Sequence, residues 1–217
     1  MNTSAILKAP DRADDERSLP RSGGPGGQRP RDLDSPGGIG LWVFIGVATS
    51  LFSLFIAAYV MRMENNDWAS IQLPWQLWLG TALLVAGSAC MQGAASSAAL
   101  MRALALAGGW CALGFIGMQV WGWRDLLAMR VMPTGNPAAS FFYLLTAMHG
   151  LHVLGGLAAW GWAMHRMERA GREAARESAR RIRLCARYWH FLLAAWIALY
   201  ATFAGLTPEI VAYICGR

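Results

Sequence analysis

The sequence predicts an all-α membrane protein, a five-transmembrane-helix bundle with a disordered N-terminal tail. Three observations carry this reading. Hydrophobic residues make up 55% of the 217 residues and charged residues only 15%, where soluble domains carry about a quarter charged. Mean hydropathy is +0.32. Five apolar runs are each long enough to cross hydrocarbon as a helix, which takes about 20 residues for about 30 Å.

Residues 1–38 hold Arg12, Asp14, Asp15, Glu16 and Arg17, then glycine- and proline-rich repeats such as Gly23-Gly24-Pro25-Gly26-Gly27. Such a segment buries too little apolar surface to fold and is read as a disordered cytoplasmic tail. It has no apolar core of the kind a signal peptide needs, so the first apolar run is expected to stay in the membrane as an uncleaved helix.

The five spans are expected at residues 39–61, 74–95, 100–127, 141–165 and 184–206, together a transmembrane domain at 39–206, followed by a short periplasmic tail at 207–217. Pro74 suits the first turn of its helix, where its missing N–H costs nothing. Pro133, Asn136 and Pro137 break the chain before the fourth span. Between the fourth and fifth spans, Glu168, Glu173 and Glu177 sit among arginines; a solvated loop against lipid headgroups is expected, with a helix continued by local ion pairs as the alternative.

Orientation follows from basic residues. Fifteen of the 19 lysines and arginines fall on the tail, at Arg102 and in the fourth loop, against Arg62, Arg124, Arg130 and Arg217 on the other side. The positive-inside rule then places the N-terminus in the cytoplasm and the C-terminus outside. Trp42, Trp68, Trp75, Trp78, Trp121, Trp123, Trp162 and Trp189 fall near span ends, where an indole keeps its N–H wet. The net charge of +6 does not point to nucleic acid, because the basic residues lack aromatic interleaving. Cys90, Cys111, Cys185 and Cys215 share no ligand spacing and read as inert thiols.

The polar residues of the spans limit the chemistry. No Asp or Glu is expected inside them, which argues against an ion pump, and no nucleophile–base–orienter set is visible. Histidine is uncommon at bilayer depth, yet His149 and His152 share one helix face and His190 opens the last span. Gly155 and Gly156 follow and invite close approach of a neighbouring helix. A stripe of His190, Ala194, Ala198, Ala201 and Gly205 reads as a second packing face. Each histidine is expected to hydrogen-bond a group on another helix, with Thr49, Ser50, Ser53, Gln92 and Gln119 as candidates. Bis-histidine haem ligation would need facing rings at matching depth, and His190 lies about 8 Å cytoplasmic of His152 at 1.5 Å rise. A metal site from His149 and His152 alone lacks a carboxylate or thiolate.

His149-Gly150-Leu151-His152-Val153 with Gly155-Gly156, then Tyr188-Trp189-His190-Phe191, resembles subunit III of haem–copper oxidases. Leu41-Trp42-Val43-Phe44 with Phe52 and Ala57-Ala58-Tyr59 resembles that family's first conserved helix, and Asn136-Pro137-Ala138-Ala139-Ser140-Phe141-Phe142-Tyr143 fits the entry to the histidine helix. The likeness covers residues 39–206 and is to the short five-helix bacterial form. It implies an accessory subunit of a cytochrome c oxidase-type terminal oxidase in the bacterial inner membrane, with no catalytic centre of its own. Haem and copper are then expected in the partner subunits and none in this chain. Subunit I is the main contact, subunit II belongs to the same complex, and phospholipid is bound. Packing or lipid-cleft roles are implied for Trp42, Tyr59, His149, His152, Gly156, Tyr188, Trp189 and His190. A quinol oxidase or a nitric oxide reductase is the alternative setting, and a b-type haem anchor a more distant one. Where many members carry a buried glutamate six residues after the tryptophan, this chain has Ala48.

Overall fold

The computed structural model describes residues 36–63, 65, 67–69, 71–167 and 172–206. Of the tail expected at 1–38, residues 1–35 lie outside the described residues, as does the segment 207–217, while Pro36, Gly37 and Gly38 open the first helix instead. Five helices follow in order: α1 (Pro36–Arg62), α2 (Gln76–Ser96), α3 (Met101–Ala128), α4 (Pro137–Met167) and α5 (Arg172–Gly205). All five are long and apolar enough to cross a membrane, and no strand occurs among the described residues.

Local chemistry sets the ends. Asn136 caps α4 by accepting the Ala139 amide at 2.9 Å, and Pro137 occupies the first helical position, where no amide is needed. Pro74 falls just ahead of α2 rather than inside it, and its carbonyl accepts the Leu77 amide at 3.2 Å. α3 stops at a turn in which Arg130 takes a left-handed φ of 62°. The Val131 amide there reaches the Leu126 carbonyl at 3.0 Å and the Arg130 amide the Leu127 carbonyl at 3.1 Å. That pattern closes a helix with two otherwise orphaned carbonyls satisfied.

The segment expected as a solvated loop before the fifth span is helical from Arg172 onward. Glu177 explains part of this: it accepts from Arg180 at 2.8 and 2.9 Å and from Arg181 at 3.1 Å. These are i+3 and i+4 spacings, which place the charges side by side on a helix. Arg181 and Arg166 also lie 4.6 and 5.4 Å from the Trp162 ring, joining the ends of α4 and α5.

The chain order produces a four-helix body with α1 outside it. α2 packs most closely on α3, α5 lies between α2 and α4, and α1 rests chiefly on α5 and α4. Glycine makes the α2–α3 approach possible: a β-carbon on Gly108 would lie 2.8 Å from Met91 Cγ and 3.2 Å from the Gly87 carbonyl. Indoles tie the other seams. Trp196 on α5 donates to Thr81 on α2 at 2.8 Å, Trp123 on α3 to Thr146 on α4 at 3.1 Å, and Trp160 on α4 to the Ala105 carbonyl on α3 at 2.8 Å.

Three expectations are corrected. A carboxylate does lie within a helix that spans the membrane: Asp125, in the last turns of α3, accepts a hydrogen bond from Gln76 at the start of α2. The stripe of His190, Ala194, Ala198, Ala201 and Gly205 is exposed, because Leu192, Trp196 and Leu199 turn the opposite side of α5 into the core. Trp189 is 2% exposed and sits in the core rather than at an interface. Trp42, Trp75, Trp78, Trp121 and Trp162 are exposed, as indoles near span ends should be.

Candidate functional site

The polar residues singled out by sequence gather around the middle of α4. His149 is 0% exposed and stands in an aromatic enclosure drawn from three other helices. Phe52 of α1, Phe115 of α3 and Trp196 of α5 lie with ring centroids 6.3, 5.6 and 5.2 Å away. Neither ring nitrogen has a protein hydrogen-bond partner, so the expected bond to another helix is not made. Phe52, Phe115 and Trp196 crowd the imidazole, and no protein donor or acceptor lies within hydrogen-bond reach of it. Pattern reasoning had no means of finding these three rings, which lie far apart in the chain.

One turn along, His152 donates from Nδ1 to the Met148 carbonyl of its own helix at 2.7 Å. This i to i−4 bond fixes the proton on Nδ1 and again replaces the expected inter-helix bond. Phe44 and Phe52 of α1 flank the ring at 5.6 and 5.3 Å. Ala48 lies midway between them at i+4 and i−4, on the same face of α1, and is buried. The place of the resembled family's glutamate is thus against His152, filled here by a methyl group.

Tyr188 and Gly156 come together, a pairing the sequence left open. The Tyr188 hydroxyl donates to the His152 carbonyl at 2.9 Å, and its ring covers Gly156. Gly155, by contrast, has nothing within 4 Å of where its β-carbon would be. His190 faces another way. Its Nδ1 is 2.5 Å from Ser88 Oγ and its Nε2 3.0 Å from Gln92 Oε1, both on α2. A neutral ring accepting from Ser88 and donating to Gln92 fits both contacts. Gln92 was a foreseen partner and Ser88 was not. Thr49 and Ser50 bond carbonyls of their own helix at 2.8 and 3.0 Å.

Two hollows flank this region. A groove of about 430 Å³ between α1, α4 and α5 is walled by Leu41, Phe44, Gly155, Gly156, Leu184, Tyr188 and Trp189. A second hollow, about 370 Å³, lies at the far end of α1 and α5 among Tyr59, Trp68, Trp78, Tyr200 and Phe203. Tyr59 is held there edge-on to Trp68, Phe141 and Phe203 at 4.9–5.9 Å. Trp42 is exposed on the outward side of α1.

The histidines turn to different surroundings, His149 into the core among α1, α3 and α5, His152 toward α1 and His190 toward α2. Among the described residues no three His, Cys, Asp or Glu side chains converge. What the arrangement does chemically is hold helices together in an apolar medium through aromatic contacts, close glycine approach and neutral hydrogen bonds. It is the interior of a polytopic membrane protein.

Comparison with known proteins gives that class a closer neighbourhood. No protein-family model matches the chain. The chain is 28% identical over 173 residues to the cytochrome bo(3) ubiquinol oxidase subunit 3 of Pseudomonas aeruginosa, covering 74% of this chain and 80% of that protein. It is 25% identical over 175 residues to a probable quinol oxidase subunit 3 of Staphylococcus haemolyticus, and 25% identical over 177 residues to that of Staphylococcus aureus. Both alignments cover 75% of this chain and 85% of the relative. The likeness to the haem–copper oxidase subunit III family therefore rests on relatives spanning most of the chain as well as on its motifs.

Proposed function

We propose that this chain is the accessory subunit III of a bacterial haem–copper terminal oxidase. The observation that carries the reading is the set of relatives named as oxidase subunit 3 over about three quarters of the chain. Those relatives are quinol oxidase subunits, so quinol is favoured over cytochrome c as the electron donor of the complex. The cytochrome c type expected from the motifs gains no support from them.

In this reading the chain carries no electrons. Haem and copper reside in the catalytic subunit I, against which this chain packs, with subunit II in the same complex. The groove beside Phe44, Gly156 and Tyr188 is apolar and open to the bilayer, which suits a phospholipid acyl chain. The chain lies in the inner membrane with its N-terminus and the α4–α5 connection in the cytoplasm, as the distribution of basic residues favours.

The test is purification of the tagged chain from native membranes in mild detergent. Mass identification of its companions should find an oxidase subunit I, and the reduced-minus-oxidised spectrum should show its haems. Turnover with ubiquinol should exceed turnover with reduced cytochrome c. Recovery with a b- and c-haem complex containing non-haem iron would place the chain with nitric oxide reductases instead.

A further inference from the structure

Two buried polar side chains on facing helices have groups that the protein does not satisfy. His149 on α4 is 0% exposed and Gln119 on α3 is 5% exposed. Both ring nitrogens of His149 and the Nε2 of Gln119 lack a protein partner. A buried donor or acceptor left unmade costs about 1–3 kcal/mol, and membrane interiors offer no bulk water to relieve it.

Their placement is complementary. Phe115, one turn before Gln119 on α3, meets His149 edge-on at 5.6 Å. Trp123, one turn after Gln119, donates to Thr146, one turn from His149 on α4. Gln119 therefore faces the stretch of α4 between Thr146 and His149. Side chains lean toward the N-terminus of their own helix, and α3 and α4 run antiparallel, so the amide and the imidazole lean toward one another. The two groups are not hydrogen-bonded to each other, and a water between them would join them by two bonds of about 2.8 Å each.

We propose that His149 and Gln119 hold at least one ordered water inside the bundle. The water accepts from the Gln119 amide and donates to the lone-pair nitrogen of a neutral His149. The aromatic enclosure cannot substitute for it: an N–H directed at a ring face is a second-order contact, and it leaves the lone-pair nitrogen unmet. The proposal needs no partner subunit and stands apart from the oxidase reading.

Solid-state NMR of the full chain in liposomes, with ¹⁵N-histidine, tests this by transfer of magnetisation from water protons to ring nitrogens. His149 is assigned through His149→Phe, and solvent-exposed His165 is the positive control. Transfer to His149 is expected in the unaltered chain and is expected to be lost in Gln119→Met, which keeps the side-chain volume and removes the donor. Absence of transfer in the unaltered chain, with His165 responding, overturns the proposal without any variant. Transfer that persists undiminished in folded Gln119→Met also overturns it, since the water would then not be held by the pair.

Discussion

The ring of Tyr188 lies directly over Gly156, so that a β-carbon on Gly156 would come within 2.8 Å of Tyr188 Cε1 and 3.2 Å of its Cδ1. The same ring places its hydroxyl on the His152 carbonyl at 2.9 Å. Contact and hydrogen bond together set the spacing of α4 and α5.

Adding a methyl group there should separate the helices. Gly156→Ala is expected to destabilise the protein by about 1–3 kcal/mol, the usual range for overpacking. Gly155→Ala, where nothing lies within 4 Å, should leave stability unchanged. Thermal unfolding in detergent followed by tryptophan fluorescence separates the two; equal melting temperatures would contradict the assigned contact.

The Gln76–Asp125 bond gives a second test. Gln76 is 1% exposed, and removing its acceptor should cost about 1–3 kcal/mol through an unsatisfied amide. Asp125→Leu should therefore be clearly less stable than Asp125→Asn, whose amide oxygen can still accept. A denaturation series that finds both variants alike would remove this bond from the account of the α2–α3 seam.

His149 and His152 make ring contacts with other helices. In the oxidase complex proposed above, His149→Leu and His152→Leu should leave the initial rate of oxygen reduction near that of the unaltered enzyme. Activity should decay sooner over sustained turnover as the subunit loosens. Rate traces paired with subunit content decide it: an immediate collapse with the subunit fully retained would assign the rings a direct role.

Topology is open to labelling. With the native cysteines replaced, a single cysteine at Gln72, between α1 and α2, should react with an impermeant maleimide in intact cells. One at Ala98, between α2 and α3, should react only after the membrane is opened. The reverse pattern would invert the orientation.

Much of the architecture was legible because a bilayer leaves few choices. A run such as Leu41–Met61 can only be a spanning helix, but Asn136-Pro137, read as a break before a span at 141, instead caps and opens α4 four residues earlier. The pairing of Tyr188 with Gly156 was half visible, since the glycine marked a close approach without naming its partner. His149 was misread because its neighbours Phe52, Phe115 and Trp196 come from three separate helices, and a polar ring suggests polar company. The α5 extension was hidden by its charges, which resemble loop composition until Glu177, Arg180 and Arg181 are placed on a helical net. The alanine stripe misled for the opposite reason: small residues permit close packing without requiring it. Asp125 escaped notice because it lies beside Arg124 at the end of its span, where the apolar run gives way.

The position of α1 sets the order of synthesis against the order of packing. Its neighbours in the bundle are α4 and α5, the last helices to leave the ribosome, while α2 and α3 are made together and can close on their glycines at once. At ribosomal speeds of about 5–20 residues per second, α1 waits on the order of ten seconds in lipid before its docking surface exists. It is also the most apolar of the five spans and the least buried. A helix with those properties is stable alone in a bilayer, and this one has to be.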